Sequence, residues 1–341
     1  MKQPIVILTT DWHIDKRNLD QIRDLVVQML ALANKLEINK VILLGDVFQA
    51  RKSQELSVLV FFIEILNMFK EANVELIAFP GNHDKVDLNS LDSYLDPFDN
   101  FPNFKLIRDY SCMCFVDKDI INIHLIPYFE DKLFLEKLNQ CEPIKDERNV
   151  LLIHQGVTGA KNNDGSIVDS DIKLSMFKKF NAVFSGHYHD RNGIYIGSIA
   201  QNNFGEDTEK GFTVLYDDLS TKFIKSKFKE YHKVVIDLKK LNLKDIDKLA
   251  VQHMSSGNNI RFEFVGDKTA VDSIDIDKYR SLGIDVKRKN DDIDGSIEQA
   301  ENDEVIEFNN TEIINQFGKF CESNGISDPA VGLKYLKKQL K

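Results

Sequence analysis

Basic charge is what this sequence has too little of. Its 341 residues carry 44 Lys+Arg against 54 Asp+Glu, a formal net charge of −10 with a pI near 5.4. That balance excludes a chain that grips nucleic acid simply by being basic. It leaves open one that meets phosphate through bound cations. Long apolar runs are also missing. The longest, at 58–63, falls far short of the ~18 residues that suggest a membrane span. The run at 5–8 is too short for a signal-peptide core and has no small-residue cleavage site after it. There is no CxxC pair and no disulfide-like framework. The four cysteines, Cys112, Cys114, Cys141 and Cys321, read as reduced, buried or semi-buried thiols of a cytoplasmic protein. Cys112 and Cys114 alternate like one face of a strand, which reads as packing rather than metal binding. No internal repeat is visible.

What is present is a chain with a real core to bury, 43% hydrophobic and 29% charged, long enough for about two domains at ~100–200 residues each. The first part alternates strand-like and helical patterns. Residues 5–10, 40–44 and 75–79 read as buried strands. Between them, 18–36 and 53–72 have helical periodicity, with Ile22, Leu25, Val26, Met29, Leu30 and Ala33 on one face of the first. This rhythm implies a parallel sheet covered by helices. After Leu91 come shorter runs at 104–107, 120–126, 150–153, 182–184, 194–196 and 212–216, expected to build a second, mixed sheet against the first. From about 222 the order becomes strand 234–238, helix 243–254, strand 260–265, helix 271–282, strand 284–287, a small α/β module. Residues 291–312 hold nine acidic residues and no basic one, the composition of a solvated linker. Two amphipathic patterns close the chain, one on Ile313, Phe317, Phe320 and Cys321, the other on Leu333, Leu336 and Leu340. The expected domains are 1–218, 219–290 and 291–341.

Five polar segments follow predicted strands: Asp11-Trp12-His13, Gly45-Asp46, Gly81-Asn82-His83-Asp84, His154, and Gly186-His187-Tyr188-His189. Open α/β sheets bind ligands at the carboxyl ends of their strands. Five of the eight histidines lie in these segments. Carboxylate, imidazole and amide donors without cysteine suit a divalent first-row metal such as Mn²⁺, Fe²⁺ or Zn²⁺ and argue against a closed thiolate zinc site. There are more donors than one ion needs, and a carboxylate can bridge, so two cations ~3.5–4 Å apart are the natural inference. Each motif alone is weak, because an Asp or Gly at a turn is commonly structural. The order and placement carry the reading.

The order DxH, GD, GNHD, H, GHxH resembles the calcineurin-like metallophosphoesterases. That resemblance implies a two-sheet sandwich flanked by helices, two metal ions, and an α/β fold class overall. It implies Asp11, His13, Asp46 and His189 on one metal and Asp46, Asn82, His154 and His187 on the other, with Asp46 bridging. His83 would face the substrate phosphate as general acid or transition-state stabiliser, with Asp84 orienting it. Further motifs resemble the SbcD-type double-strand-break repair nucleases, closest to their phage counterparts: Gly45-Asp46-Val47-Phe48, Leu125-Ile126-Pro127-Tyr128, Tyr195-Ile196-Gly197-Ser198, Phe204-Gly205-Glu206 and Lys210-Gly211. The resemblance covers residues 1 to about 217. It implies a Mn²⁺-dependent DNA exonuclease/endonuclease subunit of the cytoplasm, with no membrane role. It further implies a capping domain, a homodimer through the nuclease domain, and a C-terminal segment docking on an SbcC-like ATPase through residues such as Leu333, Leu336 and Leu340. One departure is Gln49, where cellular members commonly have His after GDxF.

Other residues carry plainer readings. His124 reads as a satisfied sheet histidine, and His232 and His253 as surface. Trp12 reads as packing. Gln49, Arg51 and Lys52 are candidates for DNA contact. Lys222, Lys225, Lys227, Lys229 and Lys233, interleaved with Phe223, Phe228 and Tyr231, are either an exposed strand face or a phosphate-tracking strip. Two rival functions stand beside the nuclease: a phosphoesterase for nucleotides, cyclic nucleotides or phosphoproteins, and a non-catalytic scaffold recruiting the ATPase.

Overall fold

The computed structural model describes residues 2–116, 120–160 and 167–290. The expected linker, the two C-terminal amphipathic patterns with Leu333, Leu336 and Leu340, and Cys321 lie outside the described residues.

The first strands form because each alternates apolar residues between two covered faces. β1 (Pro4–Thr9), β2 (Lys40–Leu44), β3 (Glu75–Phe79) and β4 (Phe104–Leu106) pair in parallel. Ile7, Val41, Leu43, Leu76 and Ala78 face α1 (Leu19–Lys35) and α2 (Leu56–Glu71). Val6, Leu8, Ile42, Leu44, Ile77 and Phe79 face the opposite way, onto a second sheet. That sheet runs β5 (Ser111–Val116), β6 (Ile120–Ile126), β7 (Arg148–His154), β8 (Ala182–Gly186), with β5 antiparallel and the rest parallel. Its far face is covered by α3 (Asp131–Gln140) through Phe134 and Leu138. The result is a sandwich of two sheets with helices outside, the fold class expected.

Several particulars differ from the sequence reading. Residues 104–106 and 211–216 join the first sheet, not the second. β4 adds to β3, and β9 (Gly211–Tyr216) runs antiparallel beside β1. Both take open edges that chain position does not reveal. β10 (Thr221–Lys225) pairs with β9, so the first sheet continues past position 218. Residues 194–196 supply only isolated bridges, from Tyr195 to Ser185 and to Asn192. Cys112 and Cys114 are exposed rather than packed, and Cys141 is buried. β5 is an edge strand whose inner face is taken by Met113 and Phe115.

The small module is a three-stranded parallel sheet of β11 (Tyr231–Asp237), β12 (Asn259–Gly266) and β13 (Asp285–Asn290) with its own core. α4 (Leu243–Met254) is capped by the Asn242 side chain. The helix expected over 271–282 is broken into α5 (Lys268–Asp272) and α6 (Ile276–Ser281), because Asp267 and Asp275 each cap a new start with a side-chain oxygen.

The large core has an aromatic centre under α2. Phe62 is fully buried and meets Phe48, Phe98 and Phe104 edge-on at 5.4, 5.0 and 5.9 Å between ring centroids. Phe62→Ala removes that contact set and opens a cavity, and is expected to cost ~3–5 kcal/mol. A denaturant midpoint shift in equilibrium unfolding checks it.

Candidate metal centre

The strand ends bring the predicted residues together through a zipper of backbone bonds. Asp11 and His13 follow β1, and their N–H groups donate to the carbonyls of Gly45 and Asp46 after β2, each at 3.1 Å. The loop after β3 is tied in by Asp84, whose carboxylate accepts N–H bonds from Gly81 (2.9 Å), Phe48 (3.0 Å) and Val47 (3.2 Å). A Cβ on Gly81 would intrude on the Asp46 carboxylate, which explains glycine there. Asp11, His13, Asp46 and His187 all have positive φ, 52°, 46°, 52° and 85°. Such strain in non-glycine residues costs ~1–3 kcal/mol each and persists only where the surroundings dictate it.

Two donor groups result. In the first, His13 Nε2 lies 3.0 Å from His189 Nε2, 3.7 Å from Asp11 Oδ1 and 3.7 Å from Asp46 Oδ2. In the second, His154 Nε2 lies 3.3 Å from Asp46 Oδ2 and 3.2 Å from Asn82 Oδ1, which is 3.1 Å from His187 Nδ1. Donors each ~2.1 Å from a shared ion sit about 3.0–3.4 Å apart, so these spacings are close to those of ligand shells. Asp46 Oδ2 lies within reach of His13 in the first group and His154 in the second, and His13 and Asp46 also form a third set with His83 whose donor atoms lie within 4.8 Å of one another. Asp11 Oδ1 is buried without any hydrogen-bond partner, an orphan that a cation would satisfy. The residues present therefore fit a pair of divalent cations.

Tautomers agree. His154 Nδ1 faces the Leu44 carbonyl at 2.6 Å, and His189 Nδ1 faces Glu206 Oε1 at 2.8 Å. Each carries its proton there and presents Nε2 to the centre. Burial works against charge on both rings, but Asp46 beside His154 and Glu206 beside His189 outweigh it and lift each to about 9. Burial, reinforced by His154, pushes His187 down to about 3. Burial pushes Asp46 upward, yet the surrounding imidazoles, His154 first, hold it well below the usual carboxylate range.

His83 lies against this centre, its ring 4.7 Å from that of His13 and edge-on. Asp84 does not orient it, contrary to expectation, because all three of Asp84's bonds go to backbone N–H groups. His83 Nδ1 instead meets the Gln49 main-chain carbonyl at 2.7 Å, and Arg51 Nη2 meets Nε2 at 2.9 Å. Burial pushes the ring down to about 4. Gln49 thus enters through its backbone, Arg51 through its side chain, and Lys52 is an exposed residue of the same loop.

Glu206 is a site residue that the sequence reading misses, although its signal is there. It is the Glu of Phe204-Gly205-Glu206, and it is held by Asn202 N–H at 3.2 Å and by the fully buried Lys210, whose Nζ also donates to the His189 carbonyl at 2.7 Å. The Tyr195–Ser198 segment packs behind the same loop, with Ser198 N–H on the His189 carbonyl at 2.9 Å.

His124 is buried and satisfied by Tyr110 and Asn149, both at 3.0 Å. Trp12 is buried, donating to Thr9 at 2.9 Å. His232 pairs with Glu230 and His253 meets Phe262, both only partly exposed. The five lysines of the 222–233 strip are all exposed, Lys225 pairing with Glu209.

Residues 5–191 match the family profile of the calcineurin-like phosphoesterases. The chain is 28% identical over 196 residues to the DNA double-strand break repair protein Mre11 of Saccharolobus solfataricus, covering 54% of this chain and 49% of that protein. It is 26% identical over 257 residues to exonuclease subunit 1 of Enterobacteria phage T4, covering 71% and 74%. The match thus spans about half the length of the archaeal relative. A solved nuclease of Pseudomonas putida, MPE, aligns over 43% of this chain and 59% of its own at 16% identity with a TM-score of 0.25, a likeness too slight to bear on fold or function. Among the described residues no helix is long and apolar enough to cross a membrane.

Two outcomes are expected. Because His154 and His189 stand near 9 without metal, both carry a proton at neutral pH that a cation must displace. Metal binding at pH 7 should release about two protons, and affinity should rise as pH climbs towards 9. Calorimetry in buffers of different ionisation enthalpy reads this. Glu206→Gln, which loses the charge behind His189, should weaken metal binding ~10–100-fold, measured by Mn²⁺ titration.

Proposed function

Because this chain belongs to the calcineurin-like phosphoesterases, we propose that it hydrolyses phosphodiester bonds of DNA with two divalent cations, Mn²⁺ first among them, as a subunit working with an SbcC-like ATPase in break processing. The observation that carries the reading is Asp46, one carboxylate oxygen shared by two groups of nitrogen and oxygen donors. Asp11, His13, Asp46 and His189 would hold one cation, and Asp46, Asn82, His154 and His187 the other. When bound, such a pair neutralises an anionic diester and lowers the pKa of water. The nuclease relatives support DNA as substrate, and the name of the phage relative, a subunit, supports work within an assembly. The module of β11–β13 would act as the cap, and a homodimer would form through the larger domain.

The chain's own residues have distinct tasks. Asp84 and the backbone bonds fix the three strand-end loops as one body. Glu206 and Lys210 fix the His189 ring. The Gln49 carbonyl fixes His83 so that Nε2 points away from its own loop. The diester's negative charge, arriving beside that nitrogen, favours the protonated ring. The attacking water's oxygen bonds to phosphorus and sheds a proton to solvent, the P–O bond to the leaving group breaks, and His83, having taken up a proton from solvent at Nε2, gives it to the leaving oxygen.

Purified protein with Mn²⁺, offered labelled linear duplex DNA with and without the ATPase and ATP, should cleave it. Brisk hydrolysis of bis(p-nitrophenyl) phosphate with intact DNA would favour the small-substrate phosphoesterase instead. His83→Ala should keep both metals by elemental analysis while turnover falls ~10²–10⁴-fold.

A further inference from the structure

We propose that Arg51 is a phosphate-binding residue of this site. It rests on His83 when substrate is absent and passes to a non-bridging oxygen of the diester when substrate binds. The proposal depends on the phosphodiesterase reading above, though not on DNA being the substrate.

The geometry begins with His83, both of whose ring nitrogens are engaged. Nδ1 is bonded to the Gln49 carbonyl at 2.7 Å, and Nε2 accepts from Arg51 Nη2 at 2.9 Å. While Arg51 stays, His83 has no nitrogen free to meet a substrate. The ring lies 4.7 Å from that of His13, and Arg51 is exposed, so its guanidinium lies beside the donor groups where solvent and solutes reach it. Its main chain is tethered there by the Tyr94 hydroxyl, which donates to the Arg51 carbonyl at 3.1 Å. Its side chain is not committed. Among the described residues the guanidinium has no carboxylate partner. Arg23 and Arg108, by contrast, are each paired with two carboxylates.

The exchange is downhill on general grounds. A guanidinium bonded to a neutral imidazole makes a charge-assisted bond with one partner only. A guanidinium on a phosphodiester makes a bond charged at both ends, and its planar fork can take two oxygens at once. The same movement frees His83 Nε2 as the phosphate arrives beside it. One event therefore binds the diester and uncovers the group assigned to proton delivery.

Arg51→Gln and Arg51→Lys test this in Mn²⁺-loaded full-length protein, with bis(p-nitrophenyl) phosphate as substrate and inorganic phosphate as competing ligand. Arg51→Gln should raise KM for the diester and the inhibition constant for phosphate ~10–100-fold. Metal content should not change, and Arg51→Lys should recover part of the loss. Calorimetric titration of phosphate into wild type and variant gives the same comparison without turnover. If Arg51 merely positions His83, kcat falls in Arg51→Gln while phosphate affinity stays, and the proposal is overturned. Unchanged kinetics and unchanged phosphate binding overturn it as well. Diester hydrolysis by the wild type without DNA cleavage would reject the nuclease reading, while the comparison of wild type with Arg51→Gln would still decide the role of Arg51. For a wild type that hydrolyses neither, the phosphate titration decides it.

Discussion

The structure depends on keeping two carboxylates charged in a place that disfavours charge. Asp11 and Asp46 are 1% and 2% exposed, and an unpaired buried carboxylate costs several kcal/mol. Relief comes from imidazoles at four different strand ends, after β1, β3 and β8 and on the last residue of β7, and the segments after β1, β2 and β8 are held in a conformation they would not choose alone. The positive φ values at Asp11, His13, Asp46 and His187 are that demand expressed in the backbone. The backbone zipper between the loops after β1 and β2, and the three bonds to Asp84, supply the restraint. The sandwich is the rigid frame that makes such restraint possible, with every one of these loops leaving the same end of a strand.

The donor set also explains why the hydrogen-bond network is left incomplete. A fully satisfied polar cluster would have no need of a cation. Here Asp11 Oδ1 has no partner, and His13 and His189 face each other nitrogen to nitrogen at 3.0 Å. The outward-turned nitrogens, Nδ1 of His154 and of His189, are meanwhile bonded to a carbonyl or carboxylate behind them. For His154 and His189 polar satisfaction stops where a ligand shell would begin, the pattern expected of a centre built to take up ions, whereas His13 Nδ1 is buried without a hydrogen-bond partner.

Legibility in the sequence follows the range of the interaction. The strand–helix rhythm of the first sheet and the convergence of the five polar segments are readable, because each sits within a few residues of its strand and strand ends converge. Sheet membership is not. Whether 104–106 and 211–216 join the first sheet depends on which edges are open, and no local pattern encodes that. The role of Asp84 is hidden for a related reason. Adjacency to His83 suggests a side-chain contact, whereas the carboxylate turns back to three N–H groups on two loops. Glu206 is visible as part of a motif but silent as to task, since its partner His189 lies 17 residues earlier.

That last contact joins two parts of the chain. Glu206 fixes the His189 ring, and two residues before it Phe204 meets Tyr231 at 4.9 Å and lies beneath the Arg261 guanidinium at 4.3 Å. Gln201, at the start of the same loop, exchanges hydrogen bonds with the Tyr231 backbone at 2.8 and 3.4 Å and donates to the Glu206 carbonyl at 2.8 Å. Tyr231 and Arg261 belong to β11 and β12. The small module is therefore attached through the very loop that carries the support of His189, and Lys210, buried beneath it, is bonded to the carbonyl of that histidine. A displacement of the module has a path of two residues and one charge-assisted bond to a donor of the first group. The small module and the donor centre belong to one compact unit, and the Phe204-Gly205-Glu206 and Lys210 motifs join them at this loop.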